Sequence, residues 1–315
     1  MTDNEYDVVV VGGGAAGLSG ALALTRARRR VLVVDAGAPR NAPADAVHNY
    51  LGREGTPPAE LLAAGRAEVT GYGGEIVTGT VTAAKADGDG FRVALAGAGE
   101  VHTRRLLVTT GLVDELPDVP GLAERWGHTV LHCPYCHGWE VRDQPVGVLA
   151  TGPMAAHQAL LWTQWTGDVT FFVHTGPALA GPERAQLAAR GVRFVEGEVT
   201  AVEGDADVRL AGGTLVPRRA LVVTPRFAAR SAVLESLGLR PVEHELGIGT
   251  RIPADPSGAT AVPGVWVAGN VTDPMGQVIA AAAAGLTAGA RINAELVQAE
   301  TAALLGRAGS AAAAG

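Results

Sequence analysis

The chain has only two cysteines, and they stand two residues apart in His132-Cys133-Pro134-Tyr135-Cys136-His137-Gly138. That spacing lets two thiols meet across one turn at a helix start, close enough to form a disulfide. A thiolate at a helix N-terminus is stabilised by the dipole, so one cysteine is expected to be nucleophilic near neutral pH. Pro134 suits the first helical turn, where its missing N–H costs nothing. His137 follows directly. An imidazole there is either a general base poised near neutral pH or a polar cap on the helix. His132 is the weaker catalytic candidate. A structural zinc ion would need four ligands, and no second cysteine pair exists, so the motif is better explained by redox chemistry than by a metal.

A second chemical signature lies near the start of the chain. Tyr6 to Val11 is an apolar run ending at Gly12-Gly13-Gly14-Ala15-Ala16-Gly17, which carries G-x-G-x-x-G. Leu18 to Arg30 reads as a helix whose final arginines suit its C-terminal dipole. Val31 to Val34 reads as a second strand, closed by Asp35. This strand–loop–helix–strand–acid order is the dinucleotide-binding fingerprint. In it Gly12 permits the tight turn, Gly14 lets a pyrophosphate approach the backbone, and Gly17 lets the helix pack on the strand. The loop's Ala15 and Ala16 lead into the helix, whose free N–H groups at its start attract phosphate, and Asp35 can accept from a ribose hydroxyl.

These chemical groups need elements to position them. Ala36 to Gly55 reads as a loop containing His48-Asn49-Tyr50-Leu51-Gly52, and Pro58 to Gly71 as a helix. Residues 75–84, 90–96 and 99–109 alternate and break at glycines, as an antiparallel meander does. After the cysteines a second βαβ unit opens. Val146 to Leu149 is its strand, Ala150-Thr151-Gly152-Pro153-Met154-Ala155 its loop, Ala156 to Trp165 its helix and Val169 to Val173 its next strand. Gly181 to Arg190 is a further helix. The chain is expected to cross back near Leu239 to Thr250 and to reach a buried strand ending at Gly269-Asn270. An alanine-rich helix follows from about Gly276 to Leu305, with small residues that permit close backbone approach. Gly309 to Gly315 reads as a disordered tail. The fold class is α/β, with two Rossmann-like nucleotide-binding domains, the second inserted in the first. Residues 1–116 and 241–315 form one domain, and residues 117–240 form the domain carrying the cysteines.

Composition narrows the function classes. With 315 residues, 47% hydrophobic and 18% charged, the chain can bury a large core. A net charge of −7 argues against a nucleic-acid or anionic-membrane surface. No apolar run approaches a membrane span of about 18 residues. The acidic start Met1 to Glu5 is unlike a signal peptide, so a cytoplasmic protein is expected. With both cysteines in one motif there is no structural disulfide framework.

Together these residues resemble the low-molecular-weight thioredoxin reductase family of two-domain flavoproteins, over roughly residues 5–305. Gly12 to Gly17 with Asp35 is similar to that family's FAD fingerprint. Asn49 lies in a segment similar to its flavin-side loop, Thr109-Thr110-Gly111 resembles its Ala-Thr-Gly turn, and Gly269-Asn270 resembles its Gly-Asp. The resemblance implies FAD as cofactor, with Gln277 and Val278 among the contacts, and a homodimer. By the same analogy Cys136 faces the flavin and Cys133 exchanges with substrate. Three departures matter. Asn270 replaces the usual Asp, and His137 replaces the usual acid after the second cysteine. In the second βαβ unit the turn expected to hold arginines for an adenosine 2′-phosphate reads His174-Thr175-Gly176-Pro177, with no basic residue before Arg184. Ala150 also takes a fingerprint glycine's place, and Pro153 removes an N–H. The segment Cys-Pro-Tyr-Cys-His-Gly-Trp-Glu is similar to the dithiol oxidases of gliotoxin and holomycin biosynthesis. That likeness implies oxidation of a small dithiol substrate to an intramolecular disulfide, with O2 as acceptor and H2O2 as product. A His137 proton acceptor and a pocket lined by Tyr135 and Trp139 would serve it, though packing in a core is the commoner fate of an aromatic. Two alternatives stay open, an NADPH-dependent thioredoxin reductase and a non-enzymatic redox sensor.

Overall fold

The computed structural model describes residues 5–313, with side chains to residue 307. The expectations for Met1 to Asn4 and for Ala314 and Gly315 lie outside the described residues. In chain order, β1 (Glu5–Val11), α1 (Ala15–Arg26) and β2 (Val31–Asp35) form the first βαβ unit. Then come α2 (Pro58–Gly71), β3 (Glu75–Thr78), β4 (Val81–Asp87), β5 (Gly90–Leu95), β6 (Gly99–Val108) and β7 (Leu112–Glu115). The cysteine region is β8 (Val130–Leu131) and the four-residue α3 (Pro134–His137). It leads into β9 (Val146–Leu149), α4 (Ala155–Trp162), β10 (Val169–Phe172), α5 (Gly181–Ala189) and β11 (Arg193–Val195). A meander β12 (Val199–Glu203), β13 (Asp207–Leu210) and β14 (Leu215–Val216) precedes β15 (Ala220–Val222) and β16 (Arg226–Ala229). The chain closes with α6 (Ala232–Glu235), β17 (Val242–Glu243), β18 (Thr250–Arg251), β19 (Val265–Val267) and α7 (Val278–Ala313).

The first sheet runs β3-β2-β1-β6-β5-β4, with β19 paired to the second half of β6. Strands β1, β2, β3, β6 and β19 are parallel, and β4-β5-β6 is an antiparallel meander laid onto β6. The central strands are buried on both faces, which is why Val8 to Val11 and Val31 to Val34 are unbroken apolar runs rather than alternating ones. Val8 and Val10 face α1 and α7, while Val9 and Val11 face the meander side. The second sheet, β11-β10-β9-β15-β8, is parallel throughout its pairs. The two units are joined by an antiparallel ribbon in which β7 pairs with β16.

Four expectations change. β3 pairs in parallel with β2, Val33 opposite Ile76, so the meander begins only at Val81. α1 ends at Arg26, because Arg28 adopts φ 65° and reverses the chain. Arg29 leaves the helix to bond Asn293 and Glu300 of α7. The return towards the first sheet comes ahead of residue 241, since Ser236 Oγ donates to Ala84 O on β4 and Val233 and Leu234 pack in that sheet's core. Finally, α7 continues through Ala313 instead of ending near Leu305 before a disordered tail. Small residues let α7 lie against α1, as expected. A Cβ on Gly285 would stand 1.9 Å from Ala16 O, and one on Gly289 2.7 Å from Gly20 O.

Candidate active site

The first fingerprint is built as its glycines require. Gly12 has φ 105°, and a Cβ there would stand 2.6 Å from Thr109 O. A Cβ on Gly17 would meet Gly12 O at 1.9 Å, so only glycine lets α1 approach its strand so closely. At Gly14 a Cβ would meet nothing within 4 Å. Gly14 instead lines a cavity of about 930 Å³, which Gly12, Ala15, Ala16 and Asp35 also line. This is open space against backbone N–H groups at a helix start, the shape a pyrophosphate needs. Asp35 accepts from Gly13 N at 3.0 Å and pairs with Arg66 of α2, a partner the sequence did not single out.

The cavity floor is closed by loops from distant parts of the chain. Thr109 Oγ1 donates to Gly12 O at 2.9 Å, and Thr110 Oγ1 donates to Arg230 O at 2.6 Å. Gly111 and Gly269 have φ 69° and 76°, turns that need glycine. Asn270 Nδ2 donates to the carbonyls of Asp273 and Gly276, at 2.9 and 2.8 Å. A carboxylate could donate to neither, so Asn in place of Asp fixes the loop before α7. Thr110, Gly111, Gly269, Asn270, Gln277 and Val278 all line the cavity.

The cysteines line the same cavity from the opposite side. Cys133 precedes α3 with extended backbone, and its carbonyl accepts from Cys136 N at 3.1 Å and His137 N at 3.2 Å. Both thiols are free and half-buried. The Cys136 thiol, the backbone N–H groups of Cys136 and Tyr135, and Gln277 together hold the Cys133 thiol down to about 7 against its burial. The Cys136 thiol is pushed up by donating to Cys133 and by burial. Gln277 Nε2 lies 4.0 Å from Cys133 Sγ, so a residue expected only among the cofactor contacts also reaches the redox pair. Local hydrogen bonds rather than helix length make Cys133 the acidic thiol, since α3 is a single turn.

Burial keeps the His137 imidazole below the ordinary histidine value, with Glu140 opposing the shift and His48 adding to it. It lines the cavity, and the burial that lowers its pKa favours the neutral imidazole, which can accept a proton. His132 is also pushed down by burial, and its Nδ1 lies 3.1 Å from Val223 O. That contact fixes the proton on Nδ1. Among the expected catalytic and cofactor residues, Asn49 and Gly17 do not line the cavity. Asn49 adopts φ 58° and its Nδ2 donates to Tyr135 O at 2.6 Å, tying the 48–54 loop to α3. Tyr135 lines the cavity and packs edge-on to Trp165 at 5.4 Å, whereas Trp139 lies on the surface beneath Arg142. Arg40 escaped sequence reasoning altogether. It grips Asp114 through two bonds of 2.8 and 2.7 Å, lies 5.0 Å over the Phe227 ring and faces the cavity.

The second nucleotide loop differs. Beside it is a cavity of about 190 Å³, lined by Pro153, Pro177, Leu179 and Glu183 among others. His174 adopts φ 47°, and its Nδ1 accepts from Val199 N at 2.9 Å; burial keeps it below its ordinary value. Arg184, the first basic residue after the turn, lies over Phe194 and pairs with Glu196 at 3.3 Å.

Known proteins share this organisation. Residues 6–285 match the family described as pyridine nucleotide-disulphide oxidoreductase. The thioredoxin reductase tcpT of Claviceps purpurea is 32% identical, with 85% of this chain and 87% of that one covered. The thioredoxin reductase sirT of Leptosphaeria maculans is 30% identical over 95% and 96%. Among solved structures, HlmI is 45% identical with a TM-score of 0.90, covering 98% of each chain. The oxidoreductase from Agrobacterium tumefaciens is 38% identical with a TM-score of 0.89, covering 93% of this chain and 99% of that one. The chain therefore belongs to the pyridine nucleotide-disulphide oxidoreductases, as an enzyme of thioredoxin reductase-like fold in a family that implies a flavin.

Proposed function

We propose that the chain is an FAD-dependent dithiol oxidase that closes an intramolecular disulfide in a small, natural-product-type dithiol, using O2 and releasing H2O2. One observation carries the reading. A single cavity joins the phosphate cradle to Cys133, Cys136 and His137, while the small cavity beside the second loop is lined by Pro153, Leu179 and Glu183 and by no arginine or lysine. Gly12 to Gly17 and Asp35 would hold the ADP half of FAD, and Thr110, Gly111, Gly269, Asn270, Gln277 and Val278 the rest, with Asn49 steadying α3 beside it. Bound FAD would supply two-electron acceptance and transfer to oxygen.

The protein's own residues account for the sulfur chemistry. Neutral His137 takes the proton of the first substrate thiol. The thiolate attacks Cys133 Sγ, the enzyme disulfide breaks, and Cys136 leaves. The second substrate thiolate attacks the substrate sulfur of the mixed disulfide and expels Cys133, whose low pKa makes it the better leaving group. One S–S bond breaks and one forms, so two electrons and two protons stay on the cysteine pair. The resemblance to the gliotoxin and holomycin oxidases supports this direction, and also a cytoplasmic homodimer. An NADPH-dependent thioredoxin reductase remains the competing reading, favoured by the names of the curated relatives. Purified protein should release FAD on denaturation and consume oxygen with a small dithiol, forming one peroxide per disulfide. Release of no flavin, or dithiol-independent NADPH oxidation as the main activity, would refute the oxidase.

A further inference from the structure

His48 lines the cavity that holds both cysteines and His137, yet the sulfur chemistry leaves it idle. It heads the loop that is tied to the redox turn by the bond from Asn49 Nδ2 to Tyr135 O. Its Nδ1 lies 2.6 Å from Glu54 Oε1, and its Nε2 lies 3.5 Å from Glu140 Oε1, three residues past His137. Asn49 N donates to the other Glu54 oxygen at 2.8 Å, and the bonds from His48 and Asn49 hold that carboxyl below its ordinary value. An ionised carboxylate only accepts, so the proton of a neutral His48 sits on Nδ1 and Nε2 keeps its lone pair. A proton arriving on Nε2 makes it a donor facing Glu140, with the imidazolium between two carboxylates that stabilise it. Exposure rises outward, from 20% for the His48 side chain to 45% for Glu140 and 64% for Glu54. The charge of His48 also reaches His137: burial lowers the His137 pKa most, His48 and His128 add to that, and Glu140 and Asp45 oppose it.

We infer that the Glu54–His48 dyad is a proton relay that empties His137 to solvent by way of Glu140. This rests on the dithiol-oxidase reading. Re-forming the enzyme disulfide strips two protons from the cysteine pair while its two electrons go on towards oxygen. His137, next to Cys136, holds one proton at a time and has to be emptied within each turnover. The His137 N–H bond breaks as the His48 Nε2–H bond forms, directly or through one water, and the proton passes on to Glu140 and bulk water. Peroxide takes up two protons from solvent, so none is gained or lost over the cycle. His48 touches no sulfur in this role and acts through His137.

The test follows oxygen consumption with dithiothreitol in weak buffer at pH 7 by flavin-loaded wild type, His48→Asn, His137→Ala and the double variant. His48→Asn keeps a donor for Glu54 but has no nitrogen that accepts a proton. It should turn over about tenfold more slowly, less than the hundredfold scale of a lost general base because water reaches the half-buried His137. Free imidazole, added as a proton carrier, should restore most of that loss and leave the wild type unchanged. In the His137→Ala background His48→Asn should cost nothing further, since the two groups act in one chain. No loss, a loss that imidazole leaves in place, or a loss that adds in full to His137→Ala would overturn the relay and leave the oxidase reading standing. Wild-type failure to consume oxygen with the dithiol would overturn both. Should His48→Asn lose its flavin, NMR titration of the His48 ring in wild type and in His137→Ala decides instead. A midpoint that moves when His137 is removed supports the relay, and one that stays refutes it.

Discussion

The two nucleotide loops of this chain begin alike and end differently. Each follows a buried parallel strand and starts a helix, Gly12 to Gly17 after β1 and Ala150 to Ala155 after β9. In the first, a Cβ at Gly17 would collide with Gly12 O, while Gly14 opens onto a large cavity. In the second, Ala150 and Ala155 carry the Cβ atoms that the first loop cannot tolerate. After the second strand, Asp35 accepts from the loop of its own unit, whereas His174 is turned to Val199. Sheet packing preserves a fold through apolar strands alone. Ligand binding needs particular glycines, N–H groups and charges, and those can be lost while the core remains.

That contrast can be broken by one change made twice. Gly14→Glu puts a carboxylate where the pyrophosphate would lie, with room for the chain to fold around it. It should weaken flavin binding by orders of magnitude, because charge-assisted bonds worth about 1.5–3 kcal/mol each give way to repulsion. Gly152→Glu in the second loop should leave flavin content and dithiol turnover unchanged. Flavin content by absorbance after gel filtration distinguishes them, and equal losses would mean that both loops still bind nucleotide.

A smaller effect concerns what the second unit retains, its redox chemistry. His137→Ala should lower dithiol turnover about a hundredfold at pH 7, the usual scale of a lost general base. Part of the rate should return towards about pH 8.5, where a free thiol ionises unaided. Because burial holds the His137 pKa below its usual value, the wild-type rate should persist somewhat below about pH 6.5 and fall only as the imidazole protonates. A pH–rate profile of both proteins checks this. Identical profiles would make His137 a helix cap.

The smallest effect is on stability. Gly17→Ala should lower the unfolding free energy by about 1–3 kcal/mol or more, the cost of overpacking against rigid backbone. The matching Ala155→Gly should cost about 1 kcal/mol, a helix-propensity loss. Denaturant titrations of the two variants make the comparison, and a harmless Gly17→Ala would show that α1 does not depend on that approach.

Much of this was legible because it is local. Cys133-x-x-Cys136, the Gly12 to Gly17 loop and the small residues of α7 each declare a backbone requirement within a few positions. What escaped depends on pairing across the chain. Arg40 sits in a loop without its own signal, and its partner Asp114 lies 74 residues away. The bond from Asn49 Nδ2 to Tyr135 O, 86 residues on, has no local signal either. β3 was misplaced because a four-residue alternating run fits a parallel edge as well as a meander. The end of α1 was missed because a left-handed Arg28 leaves no mark in composition.

The central claim is the direction of electron flow, and anaerobic mixing tests it most directly. Oxidised, flavin-loaded protein should be mixed by stopped flow with a small dithiol and, separately, with NADPH or NADH. The dithiol should bleach the flavin absorbance, and admitted oxygen should restore it with formation of peroxide, while neither nicotinamide bleaches it at micromolar concentration. Rapid bleaching by NADPH, with no response to the dithiol, would contradict the oxidase and make the chain a reductase.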